Sequence, residues 1–422
     1  VQPPDGNHLE ESGGDGGMKW ETYKLKQLCS EIVDCVNKTA PTSDVPTPYK
    51  MLRTSDIREG KINLENLNCV TKEVYEKWTR RGKLQKGDVI FTREAPLGEV
   101  GLVREEKNYF LGQRLVLFRA NNKMCDGRFL MYSLLWHDNK QAIISKGVGS
   151  TVAHLRVPEC ENIEIKVPDL DVQHRIADIL SAYDDLIENN QKQIKLLEEA
   201  AQRFYKEWFV DLRFPGHENT KIVDGVPEGW RVASIADICD TVGGGTPSTK
   251  IQSYYEKGDI LWVTPTDITR NFSLALLDTE KKITPEGLKN SSAKMLPAET
   301  ILMTSRASVG FFGMCKYEVC TNQGFISCIP KRENLQMYLL FNLKSRVEEI
   351  RQKAGGSTYL EISKTVFREL KIILPKDEVL AEYQKNVHDI FDEIYCRTEM
   401  IKNLVDMRNR LLPKLMSGEV EV

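Results

Sequence analysis

The sequence of 422 residues lacks any run of about 18 apolar residues, which is the length that a membrane-spanning helix requires. It also lacks a charged segment followed by an apolar stretch and a small-residue cleavage site, so no secretion signal is indicated. Apolar residues make up 41% and charged residues 28% of the chain, a balance typical of globular proteins. We therefore expect a cytoplasmic protein with no membrane partner.

Metal-binding and disulfide patterns are also missing. The ten cysteines are scattered, form no CxxC pair and have no histidine beside them at ligand spacing. The sequence therefore predicts no metal site, and buried reduced thiols are the simplest interpretation of the cysteines.

The residue patterns of three enzyme classes are absent or incomplete. No Asn or Asp precedes a Pro-Pro pair, as a DNA methyltransferase would need, and the Pro-Pro pair at Pro3-Pro4 stands alone. The stretch Gly243–Lys250 lacks the second glycine before the lysine, and Ile251 stands where a phosphate loop needs Ser or Thr. A nuclease-like Glu164-Ile165-Lys166 recurs as Glu369-Leu370-Lys371, which is explained by a repeated charged strand. No catalytic residue is predicted.

The net charge of −3 conceals two basic blocks. Residues 18–167 contain 25 Lys and Arg against 19 Asp and Glu, and residues 226–374 contain 19 against 16. The segments 168–212 and 375–422 are acidic, with 5 against 10 and 7 against 10. Basic blocks suit nucleic acid, although the excess in the second block is small.

An internal repeat with an offset near 210 residues relates the two basic blocks. Ser55-Asp56-Ile57 matches Thr266-Asp267-Ile268, and Gly149-Ser150-Thr151 matches Gly356-Ser357-Thr358. Each block has short apolar runs with the character of strands, and helical stretches lie between them. The predicted strands are Val89–Thr92, Gly101–Val103, Leu115–Phe118 and Ile163–Val167, with counterparts Ile260–Val263, Thr300–Thr304, Phe325–Ile329 and Leu370–Leu374. The predicted fold class is α+β, with two repeated globular α/β domains.

Each block is followed by a helix of about 35 residues whose apolar residues repeat every three to four positions. The predicted seam residues are Ile187, Asn190, Ile194, Leu197, Ile394, Ile401, Leu404 and Leu411. Asn190 is polar, which is typical of a residue that fixes register, and Arg397 and Arg408 occupy slots of the second seam. Intramolecular antiparallel pairing into a coiled coil is favoured over a bundle or a homodimer, since the repeat supplies its own partner. It would place the domains at the ends of a rod of roughly 50 Å.

The predicted organisation has six segments. They are a disordered or vector-derived tail (1–17), a first recognition domain (18–167), a central long helix (168–212), a linker (213–225), a second recognition domain (226–374) and a C-terminal long helix with its tail (375–422).

Loops in both blocks combine cations, which suit phosphates, with forked polar side chains, which suit base edges. The candidate DNA-binding residues of the first block are Arg53, Lys83, Lys86, Arg93, Gln113, Arg114, Lys146, Ser150 and Thr151. Those of the second block are Lys250, Arg270, Arg306, Asn322, Gln323, Lys353, Ser357 and Thr358.

Taken together, these features resemble the specificity subunit of type I restriction-modification systems over nearly all of 18–422. The resemblance rests on Trp20 and Val226–Trp230 at the block starts, on Leu84–Phe91 and Leu296–Leu302, and on Pro168 and Pro375 before the helices. It implies two target-recognition domains that each read one half of a bipartite, asymmetric site in double-stranded DNA. It also implies a coiled coil that sets the gap and docks two methyltransferase subunits, with restriction subunits joining them. By the same resemblance, S-adenosyl-methionine, ATP and magnesium belong to the partners, and this chain carries no cofactor.

Two other hypotheses stay open at this point. One is a DNA-modifying or DNA-cleaving enzyme with an atypical active site, and the other is a repeat scaffold without a DNA role.

Overall fold

The computed structural model describes residues 19–147, 153–356 and 359–422. It divides into two compact units. The first comprises the described residues up to Asp185 together with Val405–Val422, and the second comprises Leu186–Leu404. Each unit includes one domain and a piece of both long helices.

The first unit is built on a four-stranded antiparallel sheet in the order Cys29–Asp34, Leu115–Ala120, Val89–Thr92 and Val100–Leu102. A three-stranded sheet contains Lys50–Leu52 between Asn68–Cys69 and a parallel partner, Tyr109–Leu111. Two-stranded sheets pair Glu21–Lys24 with Glu164–Val167, and Ile57–Arg58 with Lys61–Ile62. The helices of the domain are Leu25–Leu28, Lys72–Trp78, Gly127–Leu135, His137–Ser145 and Val157–Glu161, with a 3-10 turn at Thr54–Asp56.

The second unit repeats this topology. Its four-stranded antiparallel sheet has the order Cys239–Gly243, Phe325–Pro330, Ile301–Thr304 and Phe312–Gly313. Ile260–Val263 again lies between an antiparallel strand, Lys282–Ile283, and a parallel one, Cys320–Thr321. Two-stranded sheets pair Arg231–Ser234 with Lys371–Leu374, and Ile222–Val223 with Val226–Pro227. The helices of the domain are Ile235–Ile238, Pro265–Thr269, Pro285–Lys289, Gln336–Ser345, Val347–Gln352 and Lys364–Arg368, with 3-10 turns at His217–Asn219, Gln252–Tyr254 and Glu333–Leu335.

Two long helices complete the fold. The central helix is Leu170–Tyr205, with 36 residues, and continues into a π-helical turn at Lys206–Val210. The C-terminal helix is Asp377–Ser417, with 41 residues. The predicted α+β fold with two repeated domains and two long helices is thus confirmed.

The glycines that suggested a phosphate loop have a packing role. A Cβ atom on Gly244 would lie 2.1 Å from the carbonyl oxygen of Thr321, and one on Gly245 would lie 2.4 Å from the backbone nitrogen of Ala293. Only a residue without a side chain fits such close approaches of two backbones.

Candidate nucleic-acid interface

Three loops of the first domain converge at one end of its main sheet. The backbone N–H of Arg93 donates to the carbonyl of Arg114 at 2.8 Å, and the N–H of Leu155 donates to the carbonyl of Arg93 at 3.0 Å. An isolated β-bridge joins Glu94 to His154. These backbone contacts hold the ends of the three loops in fixed positions, which is what a recognition surface needs.

The second domain has the same arrangement at equivalent positions. The N–H of Ser305 donates to the carbonyl of Gly324 at 2.8 Å, and the N–H of Ile362 donates to the carbonyl of Ser305 at 3.0 Å. The isolated bridge joins Arg306 to Glu361. The backbone frame is therefore repeated, whereas the bridged side chains change from Glu and His to Arg and Glu.

The predicted DNA-binding residues of the first domain fall into two groups. Lys83, Lys86, Gln113, Arg114 and Lys146 are exposed. Arg53 and Arg93 are committed to internal contacts. Arg53 donates from Nε and Nη2 to the carboxylate of Asp56, and Arg93 pairs with Asp34 at 3.1 Å and donates to the carbonyl of Leu155.

In the second domain Lys250, Arg270, Arg306, Gln323 and Lys353 are exposed. Arg270 and Arg306 form exposed ion pairs with Glu280 and Glu361, which cost little to break. Asn322 is half-buried, and its Oδ1 accepts the N–H of Gly324 at 2.8 Å. The predicted contacts at Ser150, Thr151, Ser357 and Thr358 lie outside the described residues.

The predicted seam residues of the long helices are buried or half-buried. Ile187, Asn190, Ile194, Ile394 and Ile401 are buried, and Leu197, Leu404 and Leu411 are half-buried. The spacing of three to four residues between apolar positions also places Tyr183, four residues before Ile187, in the seam. In the structure Tyr183 is half-buried and its neighbour Asp184 is buried, so the side chain that faces the partner helix is the carboxylate.

In the first unit Asp184 is the partner of Arg408, the arginine that occupies an apolar position of the second seam. Arg408 Nη1 donates to Asp184 Oδ1, and the hydroxyl of Tyr132, on the domain helix Gly127–Leu135, donates to Asp184 Oδ2. Burial, followed by the charge of Asp184, raises the pKa of Tyr132 far above its usual range, so the phenol stays a donor. Asp184 thus joins the domain to both helices.

In the second unit the polar pair in the helix seam joins an arginine to a neutral amide. Arg397 Nη1 donates to Asn190 Oδ1 at 3.1 Å, and its Nη2 lies 2.5 Å from Glu393. Farther along, Tyr383 of the C-terminal helix packs against Phe204 and Tyr205 of the central helix. From Asn190 to Tyr205 the residue number rises along the central helix, while the partner residue on the C-terminal helix changes from Arg397 to Tyr383. The two helices therefore run antiparallel here.

Two buried glutamines, which sequence reasoning missed, fix the starts of the long helices. Gln173 Oε1 accepts the N–H of Asp126, and Gln384 Oε1 accepts the N–H of Met337, at 3.1 and 2.9 Å. The two glutamines are 211 residues apart in the sequence, and so are Asp126 and Met337. Each glutamine attaches a long helix to the first turn of a domain helix. Aligning the two helices on their glutamines is the sequence signal that could have revealed them.

A second polar contact attaches the second domain to its helices. Glu198 of the central helix accepts the N–H of Leu274 at 2.7 Å, and the hydroxyls of Thr398, on the C-terminal helix, and Ser273 share a hydrogen bond at 3.1 Å. Burial raises the pKa of Glu198 and lowers that of Lys344, which lies 4.0 Å from it. The tip at 273–274 is therefore bound to both helices.

One group of described side chains has the composition of a metal site. Glu299, His388 and Asp392 can bring one ligand atom each within 4.8 Å of the others. The two ring nitrogens of His388 face different carboxylates, at 3.1 and 3.3 Å, and Lys316 Nζ lies 2.5 Å from Asp392. With an ammonium group already in place, an ion-pair network explains the arrangement without a metal.

The repeated domains and their converging loops, with exposed amide and cationic side chains, define a tandem-domain recognition protein. The chain matches the family model of the type I restriction modification DNA specificity domain twice, over residues 18–199 and 227–406. The chain belongs to this family. It is a specificity subunit, the DNA-recognition and non-catalytic component of a type I restriction-modification system, as the sequence predicted.

Relatives of known identity match over the full length or over one repeat. The type I restriction enzyme HindI specificity subunit of Haemophilus influenzae is 24% identical, and the match covers 95% of this chain and 99% of that protein. The MjaIX specificity subunit of Methanocaldococcus jannaschii is 38% identical over 173 residues, which is 40% of this chain and 39% of that protein.

A solved structure shares the fold. The crystal structure of the type I restriction-modification S subunit from M. genitalium superposes with a TM-score of 0.58 at 16% identity, over 96% of this chain and 98% of that one. Within the described ranges, no helix has both the length and the apolar character that a membrane crossing requires.

Proposed function

We propose that each domain reads one half of a bipartite, asymmetric site in double-stranded DNA. The observation that carries this proposal is the loop cluster repeated on one backbone frame with different side chains. Glu94 and His154 in the first domain stand where the second has Arg306 and Glu361. Because base contacts specify sequence while backbone contacts position the protein, two such clusters recognise two different half-sites.

The long helices set the gap between the half-sites and dock two methyltransferase subunits, and restriction subunits join that assembly. Membership of the specificity-domain family supports assembly within a type I system. S-adenosyl-methionine, ATP and magnesium bind to those partners in this scheme. The exposed cations Lys83, Lys86, Lys146, Lys250 and Lys353 contribute phosphate contacts, which supply affinity without sequence information.

The test is to co-express the chain with its neighbouring methyltransferase subunit and to map the modified adenines. A bipartite motif is expected. Exchanging residues 18–167 for the corresponding block of another specificity subunit is expected to change one half of the motif, and exchanging 226–374 the other. A motif that changes in both halves with either exchange would contradict independent reading.

A second measurement separates recognition from catalysis. Purified chain is expected to bind duplex DNA with an affinity that falls steeply with salt, since phosphate contacts release counterions. Methylation or cleavage by the chain alone would support the enzyme hypothesis, and a failure to bind DNA would support the scaffold hypothesis.

A further inference from the structure

Both domains contain a threonine that donates a hydrogen bond to an exposed glutamine in the loop cluster. In the first domain Thr39 Oγ1 donates to Gln113 Oε1 at 3.2 Å. In the second domain Thr246 Oγ1 donates to Gln323 Oε1. The threonines are 207 residues apart and the glutamines 210, so the pair recurs at equivalent points of the repeat, far apart in sequence within each domain.

Each threonine is itself held in place. The carbonyl oxygen of the preceding residue accepts an indole N–H, from Trp78 to Lys38 at 3.4 Å and from Trp262 to Gly245 at 3.0 Å. The residue after each threonine, Ala40 in the first domain and Pro247 in the second, is buried. Trp78 and Trp262 are not at equivalent positions of the repeat. Different tryptophans therefore fix the backbone beside the two equivalent threonines.

The glutamines are held by their neighbours as well. The residue after Gln113 is Arg114, whose carbonyl accepts from Arg93, and the residue after Gln323 is Gly324, whose carbonyl accepts from Ser305. Both glutamine side chains are exposed, although each backbone is tied to the main sheet. Within 19–147, 153–356 and 359–422, the Nε2 group of neither glutamine has a hydrogen-bond partner.

This geometry suits one ligand in particular. A carboxamide that presents Oε1 and Nε2 together accepts from the N6 amino group of adenine and donates to its N7 in the major groove. The oxygen of Gln113 or Gln323 keeps a second lone pair after accepting from its threonine, so the threonine orients the amide without using up its acceptor.

We infer that Gln113 and Gln323 are base-reading residues, one for each half-site, and that each pairs with an adenine through an amide oriented by Thr39 or Thr246. This inference rests on the proposed DNA recognition and adds the chemical identity of one base in each half. Thr39 and Thr246 are positioning residues.

The experiment selects duplexes from a randomised pool with the full chain and with the variants Gln113→Ala and Gln323→Ala. Each variant is expected to lose the preference for adenine at one position of one half-site, by roughly tenfold or more, and to leave the other half unchanged. Gln141→Ala, at an exposed glutamine on the helix His137–Ser145, is the matched control and is expected to select the wild-type sequence.

The selected adenine is then replaced by 7-deazaadenine, which lacks the N7 acceptor. The wild-type chain is expected to bind this duplex more weakly than the natural one, and the corresponding glutamine variant is expected to bind both equally. Thr39→Val and Thr246→Val, which keep the side-chain shape, are expected to weaken the same preference without moving it to another position.

The outcomes separate the two proposals. A wild-type chain that selects no sequence overturns DNA recognition and this inference together. A wild-type chain that selects a bipartite motif, with both glutamine variants selecting the same motif at the same strength, overturns the inference alone.

Discussion

The helix pair is held by different chemistry in the two units. In the first unit the buried carboxylate of Asp184 accepts from Arg408 and Tyr132, whereas in the second the amide of Asn190 accepts from Arg397. A buried charge is strongly destabilising when its partner is lost, but a neutral amide is not. The first unit therefore depends on an intact ion pair to a degree that the second does not.

The largest effect is expected from Arg408→Met. The substitution leaves the Asp184 carboxylate buried without its cation, which destabilises the first unit by about 3–5 kcal/mol. Urea unfolding with hydrogen exchange read separately for each unit measures it. Asp184→Asn added to this variant is expected to recover part of the loss, and Arg410→Met, at an exposed arginine of the same helix, is the control. A loss spread equally over both units would refute the comparison.

Tyr132→Phe removes the second donor to Asp184. We expect a loss of about 2 kcal/mol in the first unit, because a hydrogen bond to a charged group is worth roughly 1.5–3 kcal/mol. The same unfolding measurement tests it, with Tyr183→Phe, at a half-buried tyrosine one position before Asp184, as control. Equal stability of Tyr132→Phe and wild type would mean that the phenol contributes only packing.

Arg397→Met is the counterpart of the first substitution in the second unit. It leaves a neutral amide rather than a charge, so a loss of about 1 kcal/mol is expected. The decisive quantity is the ratio of this loss to that of Arg408→Met. A loss as large as that of Arg408→Met would show that the seam chemistry does not distinguish the units.

The smallest effect concerns pH. Burial alone would raise the pKa of Asp126, but hydrogen bonds and charge from Arg128, with backbone N–H groups of the helix it caps, lower it overall. A carboxyl whose folded-state pKa is depressed adds stability above its unfolded pKa, and this stability is lost as pH falls through the folded value. The second-domain helix Gln336–Ser345 has no side-chain cap, so its exchange is not expected to depend on the titration of a capping carboxyl.

Asp126→Asn tests the pH prediction, since asparagine caps a helix about as well as aspartate does. The variant is expected to lose roughly 0.5–1 kcal/mol near neutral pH and to have a flatter stability profile below about pH 4. Hydrogen exchange of Gly127–Leu135 between pH 3 and 6 is the measurement. An unchanged profile would assign the acid sensitivity of the unit to other carboxyls.

Much of the fold follows from local patterns. Val89–Thr92 and Ile260–Val263 are predicted to the residue, because buried strands are short apolar runs bounded by turn residues and charge. The edge strand Cys29–Asp34 was missed, since its half-exposed residues carry no strong alternation. The parallel pairing of Lys50–Leu52 with Tyr109–Leu111 was also beyond prediction, because it joins segments with no local signal for each other.

The candidate site also contains residues that the sequence predicted and residues that it did not. Gln113 and Gln323 were found from residue type and repeat position, whereas Thr39 and Thr246 were not, because their role arises only when distant loops meet. Asp184 was passed over for Tyr183 because hydropathy patterns assume apolar seams. Polar groups that satisfy each other inside a core are not visible to such patterns.

The last residues of the C-terminal helix have a consequence for biosynthesis. Leu415 and Met416 are buried in the core of the first domain, with Leu411, Leu412, Val420 and Val422 packed against it. Every residue of the second unit precedes Val405 in the chain. During translation we therefore expect the first domain to complete its core only after residues 405–422 have left the ribosome, whereas all residues of the second unit are synthesised before that point.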